Sequence, residues 1–293
     1  MRAMVCLTLL LGSGCVERLI VERDAGAGFD SGDERGMPDD DDAQDCADRD
    51  DCDGDGVPDV EDPVPDDPDG PGPVEVSRMY FNSPEALFRF DPATNTLERL
   101  GPFVLDDGTA ASVTDIAIDR FGLLYAVSTG TLYVCDPVSV VCTPLGPEDA
   151  DSAGFTSFSA LEEDDDTLVV VADSEVRRVD VVDGRAEPTV LFDLGVWSSS
   201  GDVTAYGDTQ MLLSSPSPFG VGDVLLPFDV RSGEVFEPIA DAPFNTYGLT
   251  TYEQVVWAVT DAGEILRLGP EGLESIGRTE HRFWGAATHP DAR

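Results

Sequence analysis

The sequence predicts an all-β fold: a five-bladed β-propeller of four-stranded blades over residues 76–293, preceded by a disordered acidic tether. Three observations carry this reading. From Val76 onward, short apolar runs alternate with turn residues, and no helical periodicity appears. Five segments align with one another: ALFRFD (Ala86–Asp91), TLYVCD (Thr131–Asp136), EVRRVD (Glu175–Asp180), VLLPFD (Val224–Asp229) and EILRLG (Glu264–Gly269). They recur every 40 to 49 residues, the length of chain that one four-stranded blade consumes.

The remaining strands follow from the same alignment. A preceding strand starts at Met79 (MYFNS), Leu124 (LYAVS), Val169 (VVVAD), Met211 (MLLSS) and Val256 (VWAVT). A fourth strand starts at Thr96, Val141, Thr189, Val235 and Gly272. Linkers such as DPATN and DVRSG carry the Asp, Pro and Gly that tight hairpins require. Innermost strands read TDIAID from Thr114, TSFSAL from Thr156, GDVTAY from Gly201, YGLTTY from Tyr247 and WGAATH from Trp284. Their fourth positions, Ala117, Ser159, Thr204, Thr250 and Ala287, are all small, as strands crowded around an axis need. The fifth innermost strand ends the chain, whereas the first outer set at Met79 lacks one. The expectation is closure, with WGAATH completing the blade begun at Met79 so that no sheet edge stays open.

The hairpins LFRFDPATN, LYVCDPVSV and LLPFDVRSG resemble the "L-Y-x-I-D-P-x-T-G" blade hairpin of bacterial NHL-type and related propellers. The resemblance covers about residues 76–293 and implies the fold. It implies little about function, because propellers host binding, scaffolding and catalysis alike.

The N-terminal part is of a different kind. Arg2, the apolar run Met4–Leu11 and Gly12-Ser13-Gly14 before Cys15 have the layout of an export signal and are too short to span a membrane. Ending on Cys, residues 1–15 resemble a bacterial lipoprotein signal. That resemblance implies lipidation of Cys15 and anchoring to the outer membrane of the cell envelope, on its periplasmic or surface face. Gly12 stands where such signals usually carry a large aliphatic residue, and a plain secreted protein is the alternative. Residues 16–75 hold 23 acids and four Arg, with Pro and Gly throughout. Such a segment buries too little apolar surface to offset its ordering entropy, and reads as a disordered linker. Within it, Asp51 to Asp62 read DCDGDGVPDVED, placing Asp at positions 1, 3, 5, 9 and 12 and Gly56 at position 6. Alternating carboxylates before a glycine turn suit calcium. The segment resembles thrombospondin type 3 calcium repeats, which implies Asp51, Asp53, Asp55, Asp59 and Asp62 as ligands. The competing reading is a solvated acidic stalk.

Six cysteines fit an exported protein. Beyond Cys6 and Cys15, Cys46 pairs in spacing with Cys52 and Cys135 with Cys142, which suits disulfides in an oxidising compartment. If the hairpins are equivalent, Cys135 and Cys142 face each other.

The charge balance limits the partners. Asp and Glu total 59 against 17 basic residues, all Arg, for a formal charge of −42. Such a surface repels phosphate backbones, so nucleic acid is excluded as a partner class. Envelope or extracellular proteins, glycans and divalent cations remain, and the propeller itself is expected to be monomeric. Asp115 and Asp202 occupy equivalent starts of two innermost strands, with Ser157, Gly248 and Gly285 expected in the same column. Two carboxylates at a channel mouth are the pattern of general acid and base in glycoside hydrolysis; the favoured reading is structural bonding to backbone N–H groups. His281 and His289 read as isolated surface residues, Trp257 as core, and Trp284 as a residue beside the channel. The function expected is a non-enzymatic binding or scaffolding module. The alternative is a secreted hydrolase or lyase acting on polysaccharide.

Overall fold

The computed structural model describes residues 72–162, 165–182, 184–218, 220 and 222–293. They form five blades of antiparallel strands, ordered in each blade from the axis outward. The first contains Gly285–Thr288, Met79–Ser83, Ala86–Asp91 and Thr96–Pro102. The second contains Asp115–Ile118, Leu124–Val127, Leu132–Cys135 and Val141–Gly146. The third contains Ser152–Phe155, Leu168–Ala172, Glu175–Val182 and Arg185–Asp193. The fourth contains Val203–Ala205, Gln210–Pro216, Asp223–Asp229 and Ala240–Ala242. The fifth contains Thr246–Tyr252, Val255–Thr260, Glu264–Gly269 and Gly272–Arg278. The five innermost strands touch one another in ring order.

Closure is as expected. Met79, Tyr80, Phe81 and Asn82 pair with Thr288, Ala287, Ala286 and Gly285, so the last strand completes the first blade. Phe283, just ahead of that strand, is fully buried against the rings of Phe81 and Phe88.

Strand alternation explains the core. Successive side chains point to opposite faces, so each blade feeds two interfaces. Tyr80 and Leu87 pack against Ile116, Leu124 and Ala126 of the second blade. Met79, Phe81, Phe88 and Phe90 pack against Trp257, Val259 and Ile265 of the fifth. Tyr125, Val127 and Val134 meet Phe155, Leu168 and Val170 between the second and third blades. Val169, Val171 and Val176 meet Met211, Leu213 and Phe228 between the third and fourth. Leu212 and Leu225 meet Leu249, Val256 and Ala258 between the fourth and fifth. The core is thus five wedges, one per blade interface.

Three details differ from the sequence reading. The innermost strand of the third blade is Ser152–Phe155, not the segment from Thr156. Ser159 has φ 57°, a left-handed conformation that no strand accommodates. Gly154, by contrast, lies so close to the Val203 carbonyl that any Cβ would collide with it. The outermost strand of the fourth blade is Ala240–Ala242; Val235 makes only an isolated bridge to Phe228, and Pro238 lacks the N–H a ladder needs. The second blade also gains a fifth strand, Val104–Leu105, which pairs parallel to Val141 and Cys142.

Candidate functional site

The innermost strands begin at one mouth of the ring, and each blade contributes there. Thr114, Asp151, Ser199 to Gly201, Tyr247 and Trp284 line a cavity of about 310 Å³. The wall is tight: a Cβ on Gly201 would lie 3.0 Å from the Cα of Tyr247. Tyr247 and Trp284 meet edge to face, with centroids 6.4 Å apart and planes at 83°. The Trp284 indole N–H donates to Asp261 Oδ1 at 3.2 Å, and Arg282 holds both oxygens of Asp261 at 2.6 and 2.8 Å.

One residue further along two of these strands lie Asp115 and Asp202, both 0% exposed. Asp115 accepts from the backbone N–H of Ile116 at 2.8 Å and of Ala153, in the third blade, at 2.7 Å. Asp202 Oδ2 accepts from Leu249 N at 2.6 Å and Ala286 N at 2.9 Å, in the fifth and first blades. Two carboxyl groups therefore tie the inner strands of all five blades. Burial pushes both well above the ordinary carboxylate range, and the Asp202 charge raises Asp115 further. The hydrogen bonds from Leu249 and Ala286 pull Asp202 back only in part. The pair therefore favours a protonated form. A Cβ at Gly285 would run into the side chains of Asp115 and Asn82, which accounts for glycine there.

The structural reading of Asp115 and Asp202 matches this geometry. Both oxygens of Asp115 and Oδ2 of Asp202 accept backbone N–H groups, Asp202 Oδ1 is buried with no hydrogen-bond partner among the described residues, and neither side chain reaches solvent. In the third blade the equivalent position is Asp151, not Ser157. Ala153 stands opposite Val170 as Ala117 stands opposite Tyr125. Asp151 is missing from the expected set, although the pattern Asp-x-Ala/Thr at Asp115, Asp151 and Asp202 marks it in the sequence. Unlike its two counterparts it is exposed and faces the cavity.

The opposite mouth is built from the ends of the same strands. Arg120, Phe121, Thr156 to Phe158, Pro290, Asp291 and Arg293 surround a cavity of about 570 Å³. The Arg293 guanidinium reaches inward, Nη1 donating to the carbonyls of Phe155 and Thr156 and Nη2 to Ile118 O. Burial lowers its pKa to about 10, raises Asp119 to about 8, and raises nearby Asp166 to about 6. His289 is 6% exposed, a correction to the surface expectation, and burial lowers its pKa. His281 lies against the Phe88 ring at 4.7 Å. Trp257 is core, as expected.

Cys135 and Cys142 form the expected disulfide, directly opposite each other with Cα atoms 4.0 Å apart. Cys15, Cys46, Cys52 and the five aspartates Asp51, Asp53, Asp55, Asp59 and Asp62 lie outside the described residues, as does the tether up to residue 71. Val74, assigned to the tether, is buried against the first and second blades.

No family model matches the chain, and no curated protein matches it. Among solved structures it is similar to a chain of the nidogen/laminin complex, at TM-score 0.49 and 10% identity, covering 72% of this chain and 97% of that one. TolB from Acinetobacter baumannii gives TM-score 0.43 and 10% identity, covering 72% of this chain and 66% of that one. A protein of unknown function from Bacteroides caccae gives TM-score 0.40 and 10% identity, covering 70% and 73%.

Proposed function

We propose that this chain is a non-enzymatic binding module: a five-bladed propeller that holds a protein or glycan at the Trp284 mouth of its ring. In this reading the propeller is anchored to the bacterial envelope through a lipid on Cys15. The acidic segment presents it, with calcium held by Asp51, Asp53, Asp55, Asp59 and Asp62. The observation that carries the binding reading is the cavity itself, to which all five blades contribute and which presents an aromatic pair beside an exposed carboxylate. The hydrolytic alternative needs Asp115 and Asp202 to touch substrate, and both are sealed beneath that mouth.

A screen of the full chain against glycans and envelope proteins tests the module, with Trp284→Ala as the control that should lose the hit. Turnover of a polysaccharide that depends on Asp115 or Asp202 would overturn it. The stalk has its own test. Calcium titrated into the full chain should bind saturably, with affinity in the weak range of about 10⁻⁴ to 10⁻³ M typical of extracellular modules. Asp53→Ala should abolish that binding, and equal binding of magnesium would mean only a charged stalk.

A further inference from the structure

The chemistry of the Trp284 cavity narrows its ligand. Its hydrogen-bond donors are turned away, except for the Ser199 hydroxyl, since either it or Ser152 is the donor in their shared bond. The Trp284 indole N–H is committed to Asp261, and the Tyr247 hydroxyl to Asn245 Oδ1 at 3.0 Å. The Thr114 hydroxyl donates to Val127 O at 3.0 Å, Ser199 is bonded to Ser152, and Ser200 to Asp223. Arg282 directs Nε and Nη2 to Asp261. Beyond the Ser199 hydroxyl, what the cavity offers is aromatic surface and carboxylate oxygen. Among the described residues no basic side chain forms an ion pair with Asp151, whose carboxylate accepts from Asp173 N at 3.3 Å.

A sugar hydroxyl needs donors as well as acceptors; a cation needs only acceptors and a π face. The indole N–H bond to a carboxylate adds electron density to the ring face and strengthens its attraction for positive charge. The wider field has the same sign, because residues 76–293 carry 36 acids and 12 Arg. After burial, Asp261 and Asp223 both raise the Tyr247 hydroxyl, and Arg282 lowers it by less. We propose that the cavity bounded by Asp151, Tyr247 and Trp284 binds an organic cation, a primary ammonium or a guanidinium group. The cation is carried by a basic peptide side chain or a free amine. This rests on the reading of the mouth as the binding surface.

The test uses the full chain and follows the Trp284 indole N–H by NMR, its signal identified by loss in Trp284→Phe. The probes are n-butylammonium, n-butanol, methyl β-glucoside and a Gly-Lys-Gly amide with a blocked N-terminus. Butylammonium and the lysine peptide should shift that signal saturably, while butanol and glucoside leave it in place. Tighter binding of the peptide than of butylammonium would assign the cation to a peptide side chain, and the reverse to a free amine. Measured by calorimetry, Asp151→Asn and Trp284→Phe should each weaken ammonium binding by about fivefold, the size of an exposed cation–π or ion-pair contact. Asp208→Asn, which removes an exposed acid in the turn after the inner strand Val203–Ala205, away from this cavity, should change nothing. Glucoside shifting the indole more than ammonium, or equal loss in all three variants, would overturn the assignment. A partner from the screen that binds Asp151→Asn and Trp284→Phe as tightly as the unsubstituted chain would overturn it while leaving the module standing.

Discussion

Asp202 shows how much a single residue carries in this ring. Its Oδ2 receives N–H groups from two other blades, at Leu249 and Ala286. Replacing it with Ala would leave both donors buried and unpaired, at about 1–3 kcal/mol each. Asp202→Ala is therefore expected to lose about 2–6 kcal/mol in urea denaturation. Asp202→Asn keeps an acceptor oxygen for the two N–H groups and offers an N–H₂ toward Asp115, and should stay close to the parent. If Asn costs as much as Ala, the role assigned to the carbonyl-type oxygen is wrong. Both aspartates are visible in the sequence. Their burial is not, because it depends on five strands converging on one axis.

Among the elements, the blade hairpins repeat one device. Asp91 Oδ1 accepts from Ala93 N at 2.9 Å, Asp136 Oδ2 from Ser139 N at 2.6 Å, and Asp229 Oδ1 from Ser232 N at 2.8 Å. Four residues after each Asp the chain turns left-handed, at Asn95 with φ 54°, Val140 with φ 59° and Gly233 with φ 71°. Asn and Gly suit that conformation; a β-branched Val does not. Val140 is held there by burial against Gly101, where a Cβ would meet Val140 Cγ2 at 3.3 Å. Its carbonyl then accepts from Val104 N at 3.1 Å and seats the extra parallel strand. The same hairpin is closed by Cys135–Cys142. A disulfide closing so short a loop contributes about 2–3 kcal/mol through the unfolded chain. Reduction, or Cys135→Ala with Cys142→Ala, should lower the melting temperature without changing the far-ultraviolet spectrum. Retention of the full melting temperature would show that the bridge adds nothing to stability.

For the whole molecule, closure and pH are the two controls. Deleting residues from Phe283 onward removes the partner of Met79–Asn82, the ring packed on Phe81 and Phe88, and the Ala286 N–H bound by Asp202. The truncated chain should lose its cooperative melt; an unchanged melt would refute closure as a source of stability. The pH dependence follows from burial. Asp119, ordinarily at 3.8, is raised to about 8, and Asp166 to about 6. The folded state therefore binds more protons than the unfolded one between these values, and stability falls as pH rises through them. Asp115 and Asp202 act in the same direction. The melting temperature should drop between about pH 5 and pH 8, and Asp119→Asn, which preserves the acceptor for Leu123 N, should flatten that slope. A melting temperature that rises over this range would reverse the sign and discard the argument.

Blade count, the closing strand, the hairpin chemistry and the Cys135–Cys142 pair were all legible in the chain alone. They rest on periodic spacing, strand alternation and turn preferences, which are local properties written several times over. One inner strand was misplaced, because Thr156 and Ser157 mimic the repeat while Gly154 is selected by the neighbouring Val203 carbonyl, a contact made only in the assembled ring. Asp151 was missed for the same reason. Assembly, and nothing local, determines that Asp115 and Asp202 are sealed while Asp151 stays open. The three share one column, and their different environments arise from what the other blades bring to the axis.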